Sequence, residues 1–151
     1  MIPRIKVQVV TPYGLFLDEE TELLVLPTSE GEIGVMHGHL PMICAIYPGE
    51  LRLNQPSEQG GGNNKVRCAF ISAGYAEIRR KTVQVVCNAA EWAQDIDTER
   101  AKIALERALE RLADPNLPSF LMQRNRHAKR RALARLHVAE RYRNAHHLPV
   151  E

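Results

Sequence analysis

The sequence predicts a β + α chain, an N-terminal antiparallel β-sandwich followed by a C-terminal two-helix antiparallel hairpin. Three observations predict it. Apolar residues recur with period two as far as about residue 88, the period lengthens to that of a helix after Asp97, and the charge changes sign between the halves. Up to Thr98 there are 8 Lys and Arg against 12 Asp and Glu, and from Glu99 onward 12 against 6. Such asymmetry points to two parts that meet different surroundings. A chain of 151 residues can hold a sandwich over 1–88 and an appendage over 89–151.

The first half reads as short strands cut by turns. Ile5, Val7 and Val9 alternate with Lys6 and Gln8 before the turn Thr11-Pro12-Tyr13-Gly14. Leu15 and Leu17 follow, then an apolar run at 23–26 that ends on Pro27-Thr28. Further runs lie at 33–36, 42–47, 51–53, 66–72, 75–79 and 83–86, separated by Ser29-Glu30-Gly31, Pro48-Gly49, Ala73-Gly74 and Arg80-Lys81. Many short strands at this spacing indicate an antiparallel sandwich or barrel. The stretch 55–64, with Gly60-Gly61-Gly62-Asn63-Asn64, is expected to be a long solvated hairpin loop.

In the second half Ala101, Ala104, Leu105, Ala108 and Leu112 fall on one stripe of a helix over about 98–113. Asp97 or Thr98 can cap its start, and Asp97 and Glu99 suit the positive end of its dipole. Asp114-Pro115-Asn116-Leu117-Pro118 cannot continue it. Ser119 is expected to cap a second helix reaching about residue 144, with Ala128, Ala132, Leu136 and Ala139 on one face. Alanine seams allow close approach but bury little area, at about 0.8 kcal/mol per CH₂. A hairpin sealed this way is weakly held and free to detach.

Composition excludes several classes. No apolar run approaches the roughly 20 residues of a membrane span, so direct membrane insertion is not expected. The N-terminus enters a strand pattern at once and does not read as a signal or transit peptide, which implies a protein kept on the cytosolic side. Cys44, Cys68 and Cys87 are too scattered for a disulfide framework or a zinc site and read as buried structural thiols. His37-Gly38-His39 lacks the further ligands zinc requires, so a metal-dependent β-domain enzyme is a weak rival. Gly60-Gly61-Gly62 has no Lys-Ser/Thr after it and is not a phosphate loop. No catalytic constellation remains.

The second helix is the most informative segment. Arg124, Arg126, Lys129, Arg130, Arg131, Arg135, Arg141 and Arg143 stand against Glu140 alone. So much like charge repels itself and makes most sense before an acidic partner or phosphate. A small nucleic-acid-binding protein is the alternative reading, but Tyr142 is the only aromatic residue interleaved with these cations for base stacking.

Several segments together resemble the epsilon subunits of rotary F-type ATP synthases of the bacterial type. They are Val9-Val10-Thr11-Pro12, Ser29-Glu30-Gly31-Glu32-Ile33-Gly34-Val35, Gly38-His39-Leu40-Pro41 and Pro48-Gly49 before Leu51. Gly74-Tyr75-Ala76-Glu77-Ile78, Ala89-Ala90-Glu91, Asp95-Ile96-Asp97-Thr98-Glu99-Arg100-Ala101 and Arg131-Ala132-Leu133-Ala134-Arg135-Leu136 complete the series. Their order and spacing are specific as a set. His37 replaces the usual Pro before Gly-His, Ala73 the first of a usual Gly-Gly, and the loop at 55–64 is longer than common.

The resemblance implies a non-catalytic subunit of the central rotor stalk, peripheral on the cytoplasmic face of the inner membrane. It implies that the sandwich meets the gamma subunit and the ring of c subunits, with Glu32 facing the ring and His39 facing gamma. It also implies that the hairpin, when extended toward the catalytic alpha and beta subunits, inhibits ATP hydrolysis. No cofactor is required, but ATP can serve as a regulatory ligand that keeps the hairpin folded. The residues that match the family's nucleotide signature are Glu91, Ile96, Asp97, Arg100, Ala101, Arg107, Arg131 and Arg135.

Overall fold

Alternating side chains build the first half. The computed structural model describes residues 2–55 and 65–146, and the loop expected at 55–64 lies outside them except for Gln55. The strands are β1 Ile5–Thr11, β2 Gly14–Thr21, β3 Leu24–Thr28, β4 Gly31–Val35, β5 Met42–Ile46, β6 Gly49–Gln55, β7 Lys65–Ile71, β8 Gly74–Ile78, β9 Thr82–Cys87 and β10 Ala90–Trp92. They follow one path, β10-β7-β6-β3-β5-β8-β9-β1-β2, with β4 attached to β3. The alternation of β1 sends Ile5, Val7 and Val9 inward, where Leu24, Leu26, Leu51, Leu53, Ile78, Val83 and Val85 are also buried. Each such side chain contributes about 1.5–3 kcal/mol by leaving water.

The path turns back on itself to form the two layers of the sandwich. Arg67 of β7 donates to both carboxylate oxygens of Glu19 on β2, at 2.6 and 2.7 Å. Thr21 Oγ1 donates to the carbonyl of Asn54 on β6 at 2.7 Å. These bonds join β2, at one end of the path, to β6 and β7 near the other. The ladder is not antiparallel everywhere: β1 runs parallel to β9, with Val7 opposite Val83 and Val9 opposite Val85. This follows from connectivity, because the turn at Arg80-Lys81 returns the chain in the direction of β1.

Gly74 is required by close approach. A Cβ there would meet the Val86 carbonyl oxygen and come within 2.7 Å of the Cys87 Cα. Cys87 is buried, but Cys44 and Cys68 are only half-buried, so the expectation of three buried thiols holds for one. Cys44 lies on β5, and Cys68 lies on β7 opposite Arg52, on the face away from the buried Leu51 and Leu53.

The chain divides into two compact units, 1–91 and 92–151, three residues later than the boundary expected at 88. Hydrogen bonds hold this stretch to the sandwich. Ser72 N donates to the Ala89 carbonyl at 3.0 Å and Ala89 N to Ser72 Oγ at 2.7 Å, ahead of β10. The second unit has a 3₁₀ turn at Ala93–Asp95, helix α1 at Thr98–Leu112 and helix α2 at Ser119–His146.

Two details of the hairpin differ from expectation. Ser119 is the first residue of α2 and not its outside cap; the Pro118 carbonyl accepts from Met122 N at 2.9 Å. On α2 the buried residues are Asn125, Ala132, Val138 and Ala139, whereas Ala128 and Leu136 are only half-buried. Asn125 folds its amide back onto the Leu121 carbonyl at 2.7 Å, which lets a polar side chain sit at a buried position.

Candidate functional site

Glu32 is placed by a tight corner. Thr28 Oγ1 donates to the Gly31 carbonyl at 2.6 Å and accepts from Glu30 N at 3.3 Å, and Gly31 adopts φ 117°, a conformation glycine tolerates best. The chain then enters β4 with Glu32 opposite Pro27, while Arg52 of β6 lies opposite Val25 on the other edge of β3. Both side chains therefore stand on one face, diagonally across β3. Arg52 Nη1 and Nη2 donate to the two oxygens of Glu32, each at 2.7 Å, and Nη1 also donates to Glu50 Oε1 at 3.0 Å. The bonds to Glu32 are the main cause holding Arg52 more firmly in its charged form.

His39 sits on a second corner. Its amide donates to the Met36 carbonyl at 3.1 Å, its Nδ1 lies 2.7 Å from the Leu40 carbonyl oxygen, and Gly38 N donates to Arg80 O at 2.7 Å. Close after it in the chain, Leu40 is 76% exposed and Ile43 73%. Register places Ile43 and Ala45 of β5, Tyr75 of β8, Val86 of β9 and Val10 of β1 on one outer face. Val10, Tyr75 and Val86 also line an open depression of about 470 Å³ with Pro12 and Gly74. Contiguous exposed apolar side chains of this kind mark a protein-docking face. Sequence reasoning singled out His39 but missed this face. The signal was present as apolar residues at the solvent-facing positions of the alternation.

In the hairpin, Asp97 caps α1 by accepting from Arg100 N at 3.0 Å. Ala101 and Ala108, seven residues apart, are the buried residues of α1, and α1 packs against α2. Arg100 and Arg107 each precede one of these alanines and are exposed. Arg131 precedes the buried Ala132 of α2 and, like Arg135, is half-buried. In antiparallel helices, residues one position before the seam fall on the same side of it, so Arg100, Arg107 and Arg131 share a side. Arg135, three residues after Ala132, falls there too. Ile96 is buried beside the cap. Glu91 lies on β10, the last residue of the first unit.

Among the described residues no group of three or more His, Cys, Asp or Glu could hold a metal ion. No described helix is long and apolar enough to cross a membrane.

Two family profiles together match residues 4–140 of the chain. Residues 4–93 match the ATP synthase, Delta/Epsilon chain, beta-sandwich domain, and 94–140 match the long alpha-helix domain of the same chain. The chain belongs to the ATP synthase delta/epsilon family.

Curated relatives agree over nearly their full length. The ATP synthase epsilon chain of Macrococcus caseolyticus is 39% identical over 138 residues, covering 91% of this chain and 97% of that one. That of Syntrophobacter fumaroxidans is 39% identical over 141 residues, covering 93% and 99%. Among solved structures, a chain of the Euglena gracilis mitochondrial ATP synthase OSCP/F1/c-ring assembly superposes with a TM-score of 0.72 at 25% identity, covering 89% of this chain and 81% of that one. A chain of the Tetrahymena thermophila mitochondrial central stalk and c-ring shares the fold, with a TM-score of 0.58 at 12% identity. In this family frame, the corner bearing Glu32, the apolar face beside His39 and the arginine-flanked hairpin are three separate features on two compact units.

Proposed function

We propose that the chain is the epsilon rotor subunit of an F-type ATP synthase, a non-catalytic coupling and regulatory part held peripherally at the cytoplasmic face of the inner membrane. The apolar face of Leu40, Ile43 and Tyr75, with His39 at its edge, docks on gamma, and the Glu32 corner meets the ring of c subunits. The helical unit is the regulatory arm. The observation that carries this reading is its seam: α1 buries only Ala101 and Ala108, while the arginines beside them remain at the surface.

Such a seam holds the hairpin shut by a small margin, so ligands can shift the population between folded and extended forms. Arg100, Arg107, Arg131 and Arg135 suit the phosphates of ATP, which favour planar, paired N–H donors. Asp97 supplies an acceptor for the rest of the nucleotide, and Ile96 and Ala101 supply apolar wall. Bound ATP keeps the arm folded. Without it the arm extends, and the cations of α2 engage an acidic surface of the catalytic alpha and beta subunits to block hydrolysis.

Calorimetric titration of the purified chain with ATP and ADP tests this. Saturable ATP binding, weaker for ADP and lost in Arg100→Ala, is the expected result. Absence of ATP binding would remove the nucleotide switch and leave the coupling role to be judged separately.

A further inference from the structure

Arg52 deserves a role of its own because of the company it keeps. Glu50, two residues before it on β6, has a side chain only 4% exposed, whereas Glu32 is 50% exposed and Arg52 22%. Burying a carboxylate is costly unless a cation and hydrogen bonds compensate it. Here the compensation comes from a guanidinium that also reaches outward and grips Glu32 at both oxygens. The flanking Leu51 and Leu53 are buried, which fixes this part of β6 in the core. Glu32, in contrast, stands on β4, which lies off the main strand path and pairs with β3. The three charges sum to minus one, and the exposed member is Glu32.

We infer that Arg52 is a positioning residue that acts through Glu32, transmitting the rigidity of the core to the carboxylate offered to the rotor ring, with Glu50 as its buried anchor. This rests on the reading that Glu32 faces the ring. A glutamate free to rotate loses side-chain entropy on docking, and a clamped one has already lost it. The paired N–H geometry matters as well as the charge, because lysine is a point cation that cannot engage both carboxylate oxygens in the same way.

The test is a double-substitution cycle in the assembled, membrane-reconstituted complex, reading ATP-driven proton pumping per ATP hydrolysed. Glu32→Gln, Arg52→Gln and the pair together are compared, with thermal melting of each purified chain as a control. Arg52→Gln is expected to lower coupling to the same extent as Glu32→Gln, and the double substitution to lower it no further. Arg52→Lys, which keeps a cation beside the buried Glu50, is expected to melt like the parent chain and to recover only part of the loss. Normal coupling in Arg52→Gln beside impaired coupling in Glu32→Gln would overturn the positioning role while leaving the Glu32 reading intact. Losses that multiply in the double variant would overturn it too, since Arg52 would then act independently of Glu32. Normal coupling in Glu32→Gln would overturn the underlying reading of the ring-facing corner.

Discussion

Asp97 accepts a hydrogen bond from the backbone amide of Arg100 at 3.0 Å, so one signature residue caps the helix that carries the other. The two roles assigned to Asp97, cap and nucleotide contact, separate by substitution. Asp97→Ala should destabilise the hairpin by about 1 kcal/mol, seen as loss of helical circular dichroism at lower temperature. Asp97→Asn keeps an equally good cap and should leave helix stability nearly unchanged while weakening ATP binding. Equal ATP affinity in Asp97→Asn and the parent chain would restrict Asp97 to capping.

The seam gives a second expectation. Ala108→Leu places a large side chain where α1 and α2 meet, and overpacking of this kind costs about 1–3 kcal/mol. Limited proteolysis should cut the hairpin of this variant faster, with the sandwich still resistant. Unchanged cleavage would mean that the seam has slack the packing does not suggest.

Gly74 sets the stability of the sandwich. A Cβ at this position collides with backbone atoms of Val86 and Cys87, and backbone yields less readily than a flexible side chain. Gly74→Ala is therefore expected to lower unfolding stability by about 2 kcal/mol in urea titration. A variant as stable as the parent would show that β8 and β9 separate at little cost.

The thiols differ in reactivity. Burial pushes the Cys87 thiol up to about 11, against a backbone hydrogen bond to Ala89 that acts the other way. In native protein at pH 8, a thiol reagent should modify the half-buried Cys44 and Cys68 before Cys87. The sign for stability follows: the buried neutral thiol contributes fully below the unfolded value near 9, and that contribution is lost as pH rises through about 11. Rapid modification of Cys87 at pH 8 would contradict its burial.

Much of this was legible in the residues. Alternation located the strands because the in-phase apolar side chains Ile5, Val7 and Val9 of β1, Leu24 and Leu26 of β3, and Val83 and Val85 of β9 are buried, and Asp97 with the prolines after Asp114 delimited α1. The parallel pairing of β1 with β9 was not legible, since direction depends on which strand the N-terminus joins. Nor was the clamp on Glu32, because Arg52 lies 20 residues away and only the layout across β3 brings the two together. Asn125 was missed for a local reason. Its amide satisfies the backbone of its own helix, so it can occupy a buried place that polarity alone argues against.

The central claim is that the helical unit restrains ATP hydrolysis and that ATP relieves the restraint. The most direct measurement compares hydrolysis by complexes assembled with the full chain and with a chain ended after Asp95, from low to high ATP. The full-chain complex should be several-fold slower at low ATP, with the gap closing as ATP rises. Equal rates at every ATP concentration would contradict the claim.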